Sequence, residues 1–71
     1  MKTKKELYHC VSLQIKRNSQ IHSESTGIWF AVRDAAFNEN KFRLFIRKFI
    51  GCDVTDMTNA QAKKVYDWLS Q

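Results

Sequence analysis

Near the end of the chain, apolar residues recur at the three- and four-residue spacing of one helix face. They are Ala62, Val65, Tyr66 and Leu69. Thr58 and Gln61 precede them in a capping-box pattern, in which each side chain accepts a backbone N–H that the first helical turn leaves unpaired. The pattern therefore predicts a helix over residues 58–70, with Trp68 at the edge of its apolar face.

A wider apolar stripe at helical spacing covers residues 39–50. It consists of Phe42, Phe45, Ile46, Phe49 and Ile50. We expect Asn38 to cap this helix at its beginning, and Gly51 to end it because glycine readily adopts the left-handed backbone conformation. The short connection that follows favours an antiparallel or angled packing against the helix predicted over 58–70.

Residues 27–37 are apolar on two sides of a predicted helix. One side consists of Ile28, Ala31, Val32, Ala35 and Ala36. The opposite side carries Phe30, Arg33 and Phe37. Ile28, Phe30 and Val32 also alternate as in a strand, but the two alanines that follow favour a helix. A helix that is apolar on both sides is either enclosed in a bundle or exposes an interaction patch.

The first part of the chain fits two structures. A helix over about residues 4–16 would follow a second capping box and would carry an apolar stripe of Leu7, Cys10, Val11 and Ile15. A strand would present Leu7, Val11, Leu13 and Ile15 on one face. We favour the helix and leave the strand open for residues 7–16. The polar residues 17–25 predict a connecting loop.

A chain of 71 residues is long enough for one small domain, which we assign to residues 1–71. With only two glycines and no proline, a turn-rich β-sandwich is disfavoured. We therefore predict an all-α fold, a small bundle of three or four helices. Residues 26–71 would form its helical core, and residues 1–25 would be an N-terminal segment of uncertain structure.

The composition also bears on location. No apolar run approaches the roughly 18 residues that indicate a transmembrane helix, and no apolar segment follows the basic N-terminus as in a signal peptide. Cys10 and Cys52 are too few for a disulfide framework. We therefore expect a cytoplasmic protein with reduced thiols and no membrane partner.

The net charge of +5 is concentrated in two segments. Residues 1–20 contain five basic residues and one acidic residue, and residues 39–50 contain four basic residues and one acidic residue. The remaining two segments each sum to −1. Such a basic excess favours a nucleic acid or an acidic protein surface as partner, although ordinary solvated lysines on a small protein produce the same charge.

The predicted helix over 39–50 supplies the first candidate nucleic-acid surface. Its basic residues are Lys41, Arg43, Arg47 and Lys48. Arg43 and Arg47 are one helical turn apart, so both can reach one phosphate track. A second basic patch would consist of Lys4, Lys5, Lys16 and Arg17. We predict contacts to phosphates rather than to base edges.

The alternative function is a protein–protein module that binds and inhibits or redirects a host enzyme. Aromatic and other large apolar anchors dominate such interfaces. The candidates are Phe30, Phe37, Leu44 and Trp68. In a chain this short the aromatic residues can equally belong to the core. A homodimer whose interface supplies additional core is a third possibility.

No residues form a catalytic or metal-binding motif. His9, His22, Cys10 and Cys52 are the soft metal-ligand candidates, and they lack the spacing of zinc ligands. Both glycines are isolated, so no phosphate-binding loop is present. We therefore expect no metal, no cofactor and no enzymatic activity.

Residues 28–69 contain three successive stretches, IWFAVRDAAFNENKFR, LFIRKFIG and DMTNAQAKKVYDWL. They resemble the phage Mu regulatory-protein GemA family, whose pattern runs from a short helix through an aromatic–Arg pair and a glycine to Asp-Leu-Thr and an amphipathic helix. The corresponding residues here are Phe42, Arg43, Gly51, Asp56, Met57 and Thr58. The resemblance implies a phage or prophage accessory or regulatory protein that acts near DNA in a bacterial host cell.

Overall fold

The computed structural model describes residues 2–71 and consists of four α-helices with no strand in that range. The helices are α1 (Lys4–Asn18), α2 (Glu24–Asn38), α3 (Asn40–Ile50) and α4 (Asn59–Leu69). A single 3-10 turn, Val54–Asp56, lies between α3 and α4. The prediction of a small all-α bundle is confirmed, with four helices rather than three.

Local side-chain bonds determine where three of the helices begin. The Glu6 N–H donates to the Thr3 hydroxyl at 3.2 Å, and the Gln61 N–H donates to the Thr58 hydroxyl at the same distance. In both boxes the residue at the third helical position also accepts the N–H of the cap, so the two predicted capping boxes are confirmed. Ser23 caps α2 by accepting the N–H of Thr26.

Residues 4–18 of the N-terminal segment are helical, and the strand alternative for residues 7–16 is wrong. Helix α1 extends to Asn18, because that residue packs directly against α2. Its side-chain amide donates to the carbonyl of Gly27 at 3.3 Å, and a Cβ atom at Gly27 would lie 3.3 Å from the Cβ of Asn18. The absence of a side chain at Gly27 therefore permits this close approach. Since Ser23 caps α2, the connecting loop is shorter than the predicted 17–25.

The predicted cap of α3 is also wrong. Asn38 is the last residue of α2, and its side-chain amide donates to the carbonyl of Asp34 at 3.0 Å. Glu39 alone separates α2 from α3, in an extended conformation with φ −129° and ψ 97°. The helix stop at Gly51 is confirmed, because this glycine adopts φ 85°.

The core draws on every helix and on the 3-10 turn. Its fully buried side chains are aliphatic: Val11, Ala31, Val32, Ala36, Ile46, Val54, Ala62 and Val65. Helix α1 contributes Leu7 and Val11. The helical core thus begins with α1 rather than at residue 26.

Truncating a buried side chain of α3 should lower the stability of the bundle far more than truncating an exposed one. Ile46 is fully buried, so Ile46→Ala should lower the free energy of unfolding by about 2–5 kcal/mol. Leu44 lies on the same helix and is 52% exposed, so Leu44→Ala should change it by no more than about 0.5 kcal/mol. Urea unfolding followed by circular dichroism compares the two variants, and equal losses would contradict this packing.

Candidate nucleic-acid interface

The four basic residues predicted on α3 lie on two separate surfaces. Lys41 lines a groove beside the beginning of α1. Arg43 and Arg47 line a different hollow, together with Leu44. Lys48 is seven residues after Lys41, two helical turns along, and therefore shares the side of Lys41. The four basic residues thus lie on two sides of the outer face of the helix, the lysines on one side and the arginines on the other.

The groove beside Lys41 is formed where the beginning of α1 meets α3 and α4. It has a volume of about 220 Å³. Its apolar walls are Leu7, Phe42, Phe45 and Trp68. Its polar lining residues are Lys2, Thr3, Lys4 and Lys41, so no carboxylate lines it.

Three half-buried aromatic rings continue from this groove along α3 and α4. The rings of Phe45 and Trp68 stack with centroids 4.3 Å apart, and those of Phe45 and Phe49 stack at 5.4 Å. Two lysines lie over them: the Lys4 ammonium is 4.4 Å from the Trp68 centroid, and that of Lys64 is 5.3 Å from Phe49. We define the aromatic–lysine face as Lys2, Lys4, Lys41, Phe45, Lys48, Phe49, Lys64 and Trp68.

The lysines of the aromatic–lysine face carry uncompensated charge. Within residues 2–71 the salt bridges are Arg33–Asp34 and Arg43–Asp53, and neither involves a lysine. Lys41, Lys48 and Lys64 are exposed, whereas Lys4 is half-buried against the indole of Trp68. The positive charge is therefore available to an anionic ligand.

Arg43 forms an internal ion pair. Its Nε donates to Oδ1 of Asp53 at 3.0 Å and its Nη2 donates to Oδ2 at 2.8 Å, a bidentate geometry. The hydrogen bond from Arg43, with a second from the Thr55 hydroxyl, holds the pKa of Asp53 well below its usual value. The same bond raises the pKa of Arg43. Arg43 therefore joins α3 to the loop before α4, and a phosphate would have to compete with a carboxylate for it.

A second surface combines arginines with aromatic rings. The guanidinium carbon of Arg33 lies 4.8 Å from the ring centroid of Trp29 and 5.0 Å from that of Phe30. That of Arg43 lies 5.2 Å from the centroid of Phe37. We define the arginine–aromatic face as Phe30, Arg33, Phe37, Arg43, Leu44 and Arg47. It contains three of the four predicted protein-binding anchors, while Trp68 belongs to the aromatic–lysine face.

The second predicted basic patch does not form one surface. Lys4 lies in the first turn of α1 and Lys16 in the last, about 18 Å away at 1.5 Å per residue. Lys16 and Arg17 line a separate hollow near Leu13. Lys5 is exposed beside His9 in another hollow on α1. Only Lys4 of this patch reaches the aromatic–lysine face.

Two lysines of the aromatic–lysine face were absent from the predicted site. Lys64 is four residues before Trp68 on α4, a spacing that places both on one side of the helix. That spacing could have identified Lys64 from the sequence. Lys2 precedes α1 and is positioned only by the fold, where its ammonium donates to Sγ of Cys10 at 3.2 Å.

Within residues 2–71 no three side chains of His, Cys, Asp or Glu come together in a way that could hold a metal ion. In the same range, no helix combines the length and apolar character needed to span a membrane.

Comparison with protein-family models, with curated protein sequences and with solved structures found no match to this chain. The resemblance to the GemA family therefore stays a prediction, based on the residues between Ile28 and Leu69.

Removing the carboxylate of Asp53 tests the ion pair. Because pairing lowers its pKa, its contribution to stability is present above about pH 3.9 and is lost as the pH falls towards the folded-state pKa. Asp53→Asn should therefore destabilise the protein near neutral pH, and the difference from the wild type should close in acid. Urea unfolding at neutral and acidic pH measures this. Asp56→Asn removes an exposed carboxylate nearby, and an equal effect from it would contradict the assignment.

Proposed function

We propose that this protein binds nucleic acid without catalysing a reaction on it, and that the aromatic–lysine face makes the contact. One observation carries the proposal: Lys2, Lys4 and Lys41 line an apolar groove that no carboxylate lines, and Lys64 of α4 lies over the neighbouring ring of Phe49. A basic surface without opposing acids is the electrostatic pattern of a phosphate-binding site.

Lysine side chains suit contacts to successive backbone phosphates on this face. Each ammonium is a point charge on a flexible stem, so it can follow a backbone without a fixed geometry. Release of counterions would then supply much of the affinity. With up to five lysines in contact, the logarithm of the binding constant should fall with the logarithm of the salt concentration at a slope of about −3 to −5.

The accessory or regulatory role of phage type belongs to the same proposal. What supports it is the resemblance of residues 28–69 to the GemA family together with the small basic bundle. We propose no catalytic residues for this protein. A domain of this size would then act by occupying nucleic acid or by bringing a partner to it.

Two double variants that change the net charge by the same amount test where on the protein nucleic acid binds. Lys41→Glu with Lys48→Glu removes two phosphate contacts and adds repulsion on the aromatic–lysine face, so the affinity for DNA should fall by about 100-fold or more. Lys16→Glu with Arg17→Glu makes the same change of charge at the far end of α1 and should cost less than about 10-fold. Fluorescence anisotropy over a salt series measures both. Equal losses would contradict the location, and no binding by the wild type would contradict the proposal.

A second candidate function is the protein–protein module that binds and inhibits or redirects a host enzyme. The observation that favours it is the exposure of Phe37 and Leu44, 49% and 52%, beside Arg43 and Arg47. Exposed apolar side chains bordered by arginines are typical interface anchors. The same face could instead meet a second copy of the chain, as in the predicted homodimer.

The Phe37→Asp variant separates the candidates. It places a charge on the arginine–aromatic face and leaves the groove beside Lys41 untouched. If the second candidate holds, Phe37→Asp should abolish inhibition of the host enzyme or formation of the dimer, measured by enzyme assay and by light scattering. If the first holds, it should bind DNA as the wild type does. A wild-type monomer at high concentration would exclude the homodimer.

A further inference from the structure

We propose that the groove at the centre of the aromatic–lysine face receives an unpaired base of single-stranded DNA, so that the protein prefers single strands to duplex. This inference rests on the proposed function and names its substrate. It depends on the stacking geometry around Trp68 and on the combination of apolar side chains and lysines that line the groove.

The walls of the groove suit a flat apolar group. Phe45 stacks against Trp68 at 4.3 Å with 29° between the ring planes, which holds the indole at the groove. Both rings are half-buried, so part of each remains accessible. The volume of about 220 Å³ is below the range of about 300–1,000 Å³ that is usual for drug-sized ligands. The groove therefore fits a group the size of one base.

The lysines decide which flat group is favoured. Lys2, Lys4 and Lys41 are among the residues that line the groove, and no acidic residue lines it. A purely apolar ligand would make no contact with these ammonium groups, and an acidic peptide without aromatic rings would not stack on the walls of the groove. A base attached to a phosphodiester contacts both, which is the usual arrangement of single-strand binding sites.

Lys4 links the two parts of the site. Its ammonium lies 4.4 Å from the centroid of Trp68, over the ring. A base entering the groove would displace this flexible side chain from the indole. The ammonium could then meet the phosphate next to the base, because its stem allows a wide reach.

Thr3 supplies the one hydroxyl among the lining residues, and it already donates to the Glu6 carboxylate at 3.1 Å and accepts the Glu6 N–H. Proteins distinguish RNA from DNA through the ribose 2′-hydroxyl. The occupant we assign is a DNA strand, and tighter binding of an RNA strand of the same length would overturn that choice of sugar.

Duplex DNA presents phosphates but not base faces. The lysines can contact either form, whereas stacking on Trp68 requires a base that is free of its partner. The preference for a single strand should therefore come from the bases, and it should disappear when the bases are removed from the strand.

The test compares three labelled probes of equal length by fluorescence anisotropy: a thymidine strand, an abasic deoxyribose-phosphate strand and a duplex. The wild type should bind the thymidine strand about 5- to 150-fold more tightly than the abasic strand, the usual range for stacking one base. If the two strands bind equally, base stacking is excluded while phosphate binding stands. If none of the probes binds at low salt, the proposed function fails as well.

Two variants locate the stacking. Trp68→Leu keeps an apolar side chain but removes the ring, so it should abolish the difference between the strands and leave the abasic affinity unchanged. Phe37→Leu makes a similar change on the arginine–aromatic face and should behave as the wild type. Loss of the preference in Phe37→Leu, with its retention in Trp68→Leu, would overturn the site.

If Trp68→Leu does not fold, the fluorescence of a variant with a single tryptophan tests the base stacking instead. In Trp29→Phe, Trp68 is the sole tryptophan, and the thymidine strand should quench its emission while the abasic strand should not. Unchanged emission on binding would overturn the proposal. So would an unlabelled polyglutamate peptide that competes as effectively as the thymidine strand, because the face would then be a site for acidic protein.

Discussion

The core of this chain is filled by small and branched aliphatic side chains, and of its five phenylalanines, two tryptophans and two tyrosines only Phe42 is buried. Four short helices packed closely around valines and alanines leave little internal space for rings. Six of the remaining eight rings pack on the outside of that core, where each covers part of it and keeps part of its own surface accessible. The other two, Phe30 and Phe37, lie on the arginine–aromatic face beside Arg33. Both candidate surfaces follow from this constraint.

The two surfaces differ in how their charges are satisfied. On the arginine–aromatic face, Arg43 is held by a bidentate bond to Asp53 and Arg33 lies close to Asp34. On the aromatic–lysine face, the ammonium groups lie over rings or in solvent and none is paired with a carboxylate in the described chain. An anionic ligand would therefore displace less on the lysine side. This difference in pairing leads us to place nucleic acid there and to assign a protein partner to the other side.

The helices were predictable because their signals are local. The apolar spacing of α3 and α4, the capping boxes at Thr3 and Thr58 and the stop at Gly51 all act within a few residues. The end of α1 was not predicted, because it depends on the contact between Asn18 and Gly27. That contact joins two helices and leaves no periodic pattern in the sequence. The beginning of α2 was missed although its cap, Ser23, is local.

The site was predictable only in part for the same reason. Lys41 and Lys48 were identified from their own helix, but the meeting of Lys4 with Trp68 requires the beginning of α1 to lie beside the end of α4. The sequence also gives no sign that Asp53 neutralises Arg43, ten residues away. Charge counted along the chain therefore located the basic segments, while the fold decided which charges remain available and which rings lie beside them.

An amide NMR titration of the full chain with a short single-stranded oligonucleotide shows which of the two faces binds nucleic acid. If the aromatic–lysine face binds it, the signals of Lys4, Lys41 and Lys48, and the indole N–H of Trp68, should shift together as the strand is added. The indole N–H of Trp29, which donates to the carbonyl of Met57, should stay in place. Shifts confined to the surroundings of Phe37 and Leu44, with an unmoved Trp68 indole, would contradict binding at the aromatic–lysine face.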